Sequence, residues 1–225
     1  MSEESRPYGG VSAAERSSAR RDRLLAAATA AWGESGITAV TVRGVCKTSG
    51  LTPRYFYEHF ANLDELLLAV ADQVRDELLA AMVTAGLAGT GPAETRLVAA
   101  LEAFFEAVAS DPHLHRIISS DPKGIGALAQ RRRAVVDTVA DLVVEYAPAA
   151  LGFAPDPARL RRASLFITGG VDQIIEEWLS GAITMTAAEL AADCARMCMN
   201  VLQPPAPVSP RTSEWLGQES RDSVG

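Results

Sequence analysis

Apolar residues recur at the spacing of an α-helix through nearly the whole chain, and that period leaves few folds open. Leu97, Leu101, Phe104, Phe105 and Val108 step by 4, 3, 1 and 3 residues. Val135, Val139, Leu142, Val143 and Tyr146 repeat those steps, as do Ile167, Val171, Ile174, Ile175 and Trp178, and Leu190, Cys194, Met197, Cys198 and Val201. Leu24, Leu25, Ala28 and Trp32 form an earlier stripe, and Leu67, Val70, Val74, Leu78 and Met82 another, in a segment of about 22 residues from Asn62. Residues three and four apart share one helix face, so each stripe is the buried side of an amphipathic helix. No segment of strict alternation competes. Turn residues fall between the stripes, at Gly33 and Gly36, Ser49-Gly50, 89–92, Asp111-Pro112, Asp121-Pro122 and 148–157. The pattern predicts an all-α fold of about nine helices.

Composition narrows the setting. The chain is 48% hydrophobic and 22% charged, with mean hydropathy +0.08, as in ordinary globular proteins. No uncharged run reaches the roughly 20 residues of a membrane-spanning helix. The polar stretch from Met1 to Gly10 lacks the apolar region of a secretory signal, and three cysteines make no disulfide framework. These features predict a cytoplasmic protein with no membrane partner. Residues 1–14 and 204–225 carry no apolar period and are expected to be a disordered arm and tail. The net charge of -7 excludes a uniform basic coat, yet residues 1–60 hold eight Arg and Lys against six acids, and the remainder 13 against 22. A cationic end on an acidic body suits contact with a polyanion at that end.

The stretch from Thr41 to His59 carries the most chemistry. Two short helical segments, 41–48 and 52–59, are separated by Ser49-Gly50-Leu51, the spacing of a helix-turn-helix. Thr41 and Thr52 stand at capping positions, and Pro53 occupies a first helical position, where its missing N–H costs nothing. Val42, Val45, Cys46, Leu51 and Phe56 can lock the two helices together. Thr52, Pro53, Arg54 and Tyr55 then lead the second helix, where a recognition helix reads the major groove. Arg can grip a guanine with two hydrogen bonds, while Pro or Tyr can meet a thymine methyl. On spacing alone, a surface turn with a solvated Arg54 remains the other reading.

The residues also carry a resemblance. Arg21-x-x-Leu24-Leu25-x-Ala27-Ala28, Trp32, Gly36, Thr41-Val42, Val45-Cys46, the unbroken run from Ser49 to Phe60, and Asp64-Glu65-Leu66-Leu67 together resemble the DNA-binding domain of TetR-family regulators, over roughly residues 16–70. The resemblance implies a three-helix DNA-binding domain at 15–61, and an all-helical effector-binding and dimerisation body at 62–203 joined to it by a fourth helix. It implies that Thr41 and Arg43 approach the backbone and nearby bases of double-stranded DNA. Thr52, Pro53, Arg54 and Tyr55 would face base edges in a pseudo-palindromic operator, with Tyr57 and His59 on phosphate. Leu63 departs from the family, which usually has a phosphate-binding Lys there; Arg16, Arg20, Arg21 or Arg23 can supply the lost contact.

In the body, the large apolar residues of 94–119 either fill a core or line a cavity. The resemblance implies a pocket for a small, mostly apolar effector. Its expected lining is Met82, Leu101, Phe104, Phe105, Ile117 and Trp178, with His113, His115 and Asp172 as polar groups. Apolar residues nearly encircle 165–175, and two glycines inside a helix suit the close approach of another helix. A homodimer interface is therefore expected at Phe166, Gly169, Gly170, Ile174, Cys194, Met197 and Val201. No metal site is expected, because His113 and His115 point apart on a helix. Cys194 and Cys198 lie on an apolar stripe, and Arg131-Arg132-Arg133 fans around a helix as a solvated face. No cofactor motif or catalytic constellation stands out, so the chain is not read as an enzyme. The leading reading is a homodimeric transcriptional repressor released from its operator by a small apolar molecule. The alternatives are an all-helical small-molecule-binding protein or enzyme without DNA binding, and a helical interaction module whose helix-turn-helix has lost its DNA.

Overall fold

The computed structural model describes residues 12–120 and 126–203. Among them the chain forms nine α-helices, one short 3-10 turn and no strand. The expected arm up to residue 11, the tail from 204 and the break at Asp121-Pro122 lie outside the described residues. The helices are α1 (Ala13–Ser35), α2 (Val42–Ser49), α3 (Pro53–His59), α4 (Leu63–Ala88), α5 (Ala93–Ser110), α6 (Pro112–Ser119), α7 (Gly126–Leu151), α8 (Pro157–Leu179) and α9 (Ala187–Leu202).

Three sequence expectations shift. The arm ends earlier than 14, because Ser12 caps α1. Its hydroxyl accepts from the Glu15 N–H at 3.1 Å, and the Glu15 carboxylate accepts from the Ser12 N–H at 2.6 Å. Gly33 is no turn residue but sits buried in the last turn of α1, which ends at Gly36 with φ 83°. A Cβ on Gly33 would lie 2.4 Å from the His113 Cβ, so its bareness lets α6 cross α1. Pro148 lies inside α7 rather than between helices.

α5 lies between α4 and α9, α7 packs chiefly on α8, and α6 bridges α1, α4 and α5. One core runs from Leu24, Trp32 and Phe56 through Leu66, Val70 and Phe105 to Ile175 and Cys194. A smaller cluster of Ala147, Leu160, Ala163 and Leu202 joins α7, α8 and α9. The helix-turn-helix end and the body therefore share a continuous apolar interior. Polar ties fasten the later helices. Arg159 donates to the carbonyls of Leu202 at 2.8 Å and Val201 at 3.1 Å, and also to that of Gln203, satisfying the open C-terminal end of α9. Arg161 reaches Asp137 and Asp141 of α7, each at 2.6 Å. Arg131 is not merely solvated: it pairs with Asp72 of α4.

Candidate functional site

The helix-turn-helix is built by local interactions. The Thr41 hydroxyl accepts from the Gly44 N–H at 3.1 Å and starts α2. Gly50 ends α2 in the left-handed region, φ 65°, and lets the Leu51 N–H return to the Cys46 carbonyl at 3.0 Å. Val45, Cys46 and Phe56 are buried, and Val42 and Leu51 pack against them, so the two helices hold one angle. Burial pushes the Cys46 thiol up. Thr52 stands at the start of α3 but makes no capping hydrogen bond through its side chain, which leaves that hydroxyl to solvent.

The predicted reading residues fall on two levels. Thr41, Arg43, Thr52, Pro53, Arg54 and Tyr57 are exposed. Arg54 leans on Glu58 of the same helix at 3.2 Å, and its side chain is 85% exposed. A surface pair of this kind is worth about 0.3–0.5 kcal/mol, so Arg54 is cheaply redirected. Tyr55 is only half-buried, with its ring under the Arg20 guanidinium, 4.8 Å from centroid to carbon. It is fastened to α1 as well as aimed outward. His59 is half-buried and its Nε2 is shielded without a partner. Leu63 packs partly on the core and offers no cation.

The family model described as "Bacterial regulatory proteins, tetR family" matches residues 24–70, the segment holding this unit. The HTH-type transcriptional activator FasR of Mycolicibacterium smegmatis is 31% identical over 147 residues, covering 62% of this chain and 67% of FasR. The chain belongs to the TetR family. It is a TetR-family transcriptional regulator. Among solved structures, the fatty acid degradation regulator FadR from Bacillus halodurans superposes with a TM-score of 0.67 at 17% identity, covering 80% of this chain and 94% of that one. FadR from Bacillus subtilis, solved in complex with stearoyl-CoA, gives 0.65 at 14% identity, covering 81% and 99%. These two likenesses bear on the fold.

In the body of this TetR-family chain, some expected pocket residues meet and others do not. His115, 3% exposed, contacts Asp172 of α8 through Nε2 at 3.2 Å, so that polar pair is real. Phe105 is fully buried with Trp178 edge-on at 5.9 Å, and Leu101 and Ile117 are buried in the same core. These side chains pack on one another within the main core. Met82 and Phe104 are half-buried at its margin. His113 is a correction. It sits against Gly33 at the α1–α6 crossing, 3.7 Å from Asp111, and does not face the body's interior. An open concavity of about 440 Å³ lies elsewhere, at the α8–α9 turn, lined by residues including Ile183, Met185 and Glu189.

The expected dimer face is also corrected in part. Phe166 is 70% exposed, Leu165 and Met197 are exposed, and nothing lies within 4 Å of a Cβ built on Gly169 or Gly170. Cys194 is 1% exposed because α9 turns that side onto α5, so it has no surface to give a partner. Ile174 packs partly on the main core and Val201 on the smaller one. Among the described residues no group of three His, Cys, Asp or Glu is placed to hold a metal, and no helix is long and apolar enough to cross a membrane.

Sequence reasoning missed the second link between the two ends. Arg116 of α6 donates to the Gly33 carbonyl and to that of Glu34 at 3.2 Å, and Trp32 Nε1 donates to Ser120 at 3.2 Å. More than 80 residues separate these partners, so no local pattern could announce them.

Proposed function

We propose that this regulator is a cytoplasmic homodimer that binds a pseudo-palindromic operator through 15–61 and is controlled by an apolar effector held in 62–203. The carrying observation is the solvent-facing start of α3, with Thr52, Pro53 and Arg54 exposed on a recognition unit whose underside is locked into the core. A two-fold dimer through α8 and α9 would present two such helices to half-sites about 34–36 Å apart or more. Exposed Phe166 and Leu165 beside bare Gly169-Gly170 support that interface.

A long acyl chain, as in a fatty acyl thioester, is the effector class we favour. Met82 and Phe104 are half-buried, and so are Val135, Val136 and Val139 of α7, a helix that leans on α8 and touches α4 lightly. Moving α7 outward would open an apolar slot without breaking the main core, and the stearoyl-CoA held by FadR has the matching chemistry. Entry of a ligand there would shift α4 and α6, both of which run to the DNA-binding end, and typically 1–3 kcal/mol of coupling would be available. Repression by occlusion of the promoter is the primary reading. Activation is the second, favoured by the name of FasR.

The test is binding to the DNA upstream of the chain's own gene across a salt series, repeated with acyl thioesters of increasing length. Salt-dependent binding, released by long chains and untouched by short ones, is expected. Failure to bind that DNA overturns the operator reading; binding that ignores every thioester overturns the effector class. A promoter–reporter fusion reads the sign of regulation.

A further inference from the structure

α7 is fastened unevenly along its length. From Asp137 onward it sits on α8, where the Arg161 guanidinium holds Asp141 and Asp137 at 2.6 Å each. Further on, Ala147 packs with Leu160 and Ala163, and Val143 and Val144 lean on the same small cluster. Towards the N-terminus, Leu128 is sunk into the main core, and half-buried Val135, Val136 and Val139 lie between the two anchorages. Arg131 reaches across to α4, where its Nη1 meets Asp72 Oδ2 at 2.5 Å. Asp72 lies between buried Val70 and Val74 on the helix that leads out of the recognition unit.

The pair is arranged to part at low cost. Taking away one partner of an enclosed ion pair strands a charge, which is expensive. Asp72 escapes that penalty because its other oxygen, Oδ1, accepts from Arg75 Nη1 at 2.7 Å, a bond that stays within α4 when α7 moves. The Arg131 side chain is half exposed, so its released guanidinium returns to water. The Asp72 side chain is only 25% exposed, which limits screening while the pair is closed.

We propose that the Arg131–Asp72 pair is a latch on the effector site, holding the N-terminal part of α7 closed against α4. The proposal rests on the effector-binding reading and names the contact through which that site regulates α4. Val135 stands one turn from Arg131, so an acyl chain that lifts the valines draws the guanidinium off Asp72. α4 then loses its tie to α7 and keeps its internal Asp72–Arg75 pair. Linkage is reciprocal, so whatever loosens the latch helps the effector in and the operator out.

The experiment uses the full chain, with stearoyl-CoA as the probe, in the variants R131M, D72N and R131M/D72N. Hydrogen exchange reads the amides of 129–136, and anisotropy reads the probe concentration that half-releases the upstream DNA. Loss of a half-exposed pair changes such equilibria by about 2–5-fold. R131M should quicken exchange at 129–136 and lower the release midpoint by about that factor, with exchange in α8 unchanged. R131K, which keeps the charge, should match wild type. D72N should act as R131M does, and the double variant should go no further, because both substitutions break one contact. Unchanged exchange in R131M, faster exchange throughout the chain, faster exchange with an unchanged midpoint, or additive effects in the double variant each overturn the latch. Wild-type protein that binds no DNA, or is not released by stearoyl-CoA, overturns the operator or effector reading instead. Exchange at 129–136, which needs no ligand, still decides in that case whether the pair holds α7 closed.

Discussion

Arg54 illustrates how little holds a proposed reading residue in place. Its one partner, Glu58, is itself 41% exposed, so swinging away costs less than one good base contact returns. Arg54→Ala is expected to cost about 1–3 kcal/mol of operator binding and to relax preference at one base pair per half-site. Anisotropy titrations against a base-substituted operator series check this. Full affinity in an Arg54→Ala, Tyr55→Ala double variant would remove α3 from the reading role. Cys194 shows the opposite situation. Burial first, then the neighbouring Cys198 and Asp193, push its thiol up to about 11, and burial raises Cys198 as well. Both should stay protonated at neutral pH and resist alkylation until the chain unfolds. Mass spectrometry after iodoacetamide treatment tests this, and labelling of Cys194 in the native state would contradict its burial.

At the scale of elements, the α1–α6 crossing and the helix starts carry the predictions. Gly33→Ala would drive a methyl into the base of the His113 side chain, which cannot swing aside without moving α6. A loss of about 1–3 kcal/mol is expected, typical of overpacking. An unchanged urea midpoint would mean that the crossing is looser than described. The capping boxes at Ser12–Glu15 and Thr186–Glu189 respond to pH. Hydrogen bonds from the backbone N–H and then the hydroxyl of Ser12 or Thr186 hold each glutamate below its ordinary value of 4.5. Their stabilisation is thus complete above that value and fades as pH falls through the lowered one. Amide exchange near Ser12 and Thr186 should quicken on acidification in that window, and Glu→Gln at each site should remove the dependence. The motif Ser-x-x-Glu is visible in the sequence, and it would have placed the start of α1 correctly.

Among the described residues, α8 leaves an apolar patch uncovered. Phe166 and Leu165 stand exposed beside two glycines that present bare backbone, an arrangement poorly suited to water and well suited to a second helix. Gly170→Trp or Phe166→Glu is expected to convert a dimer to a monomer near 23.8 kDa while helix content is kept. Sedimentation equilibrium at micromolar concentration reads the outcome, and a dimer unchanged in both variants would place the interface elsewhere. Because one core runs from α1 to α9, loss of the dimer should leave each subunit folded but weaken operator binding, since the two recognition helices would no longer be coupled.

What the sequence by itself determined is whatever depends on residues within a few positions of one another. The 3.6-residue period specifies helices wherever it recurs, and Thr41, Gly50 and Pro53 specify the recognition turn through caps and a left-handed glycine that act over three or four residues. The exposed start of α3, where base-reading residues are expected, was legible for the same reason. Tertiary structure alone decided which part of a stripe faces inward. Cys194 and Met197 lie on one apolar stripe of α9, yet α5 covers the first and leaves the second 42% exposed. It also decided that Gly33 serves a crossing and not a turn, that His113 faces α1 and that His115 meets Asp172. Those partners lie 80 and 57 residues apart, and local periodicity says which side of a helix is apolar without saying what will come to cover it.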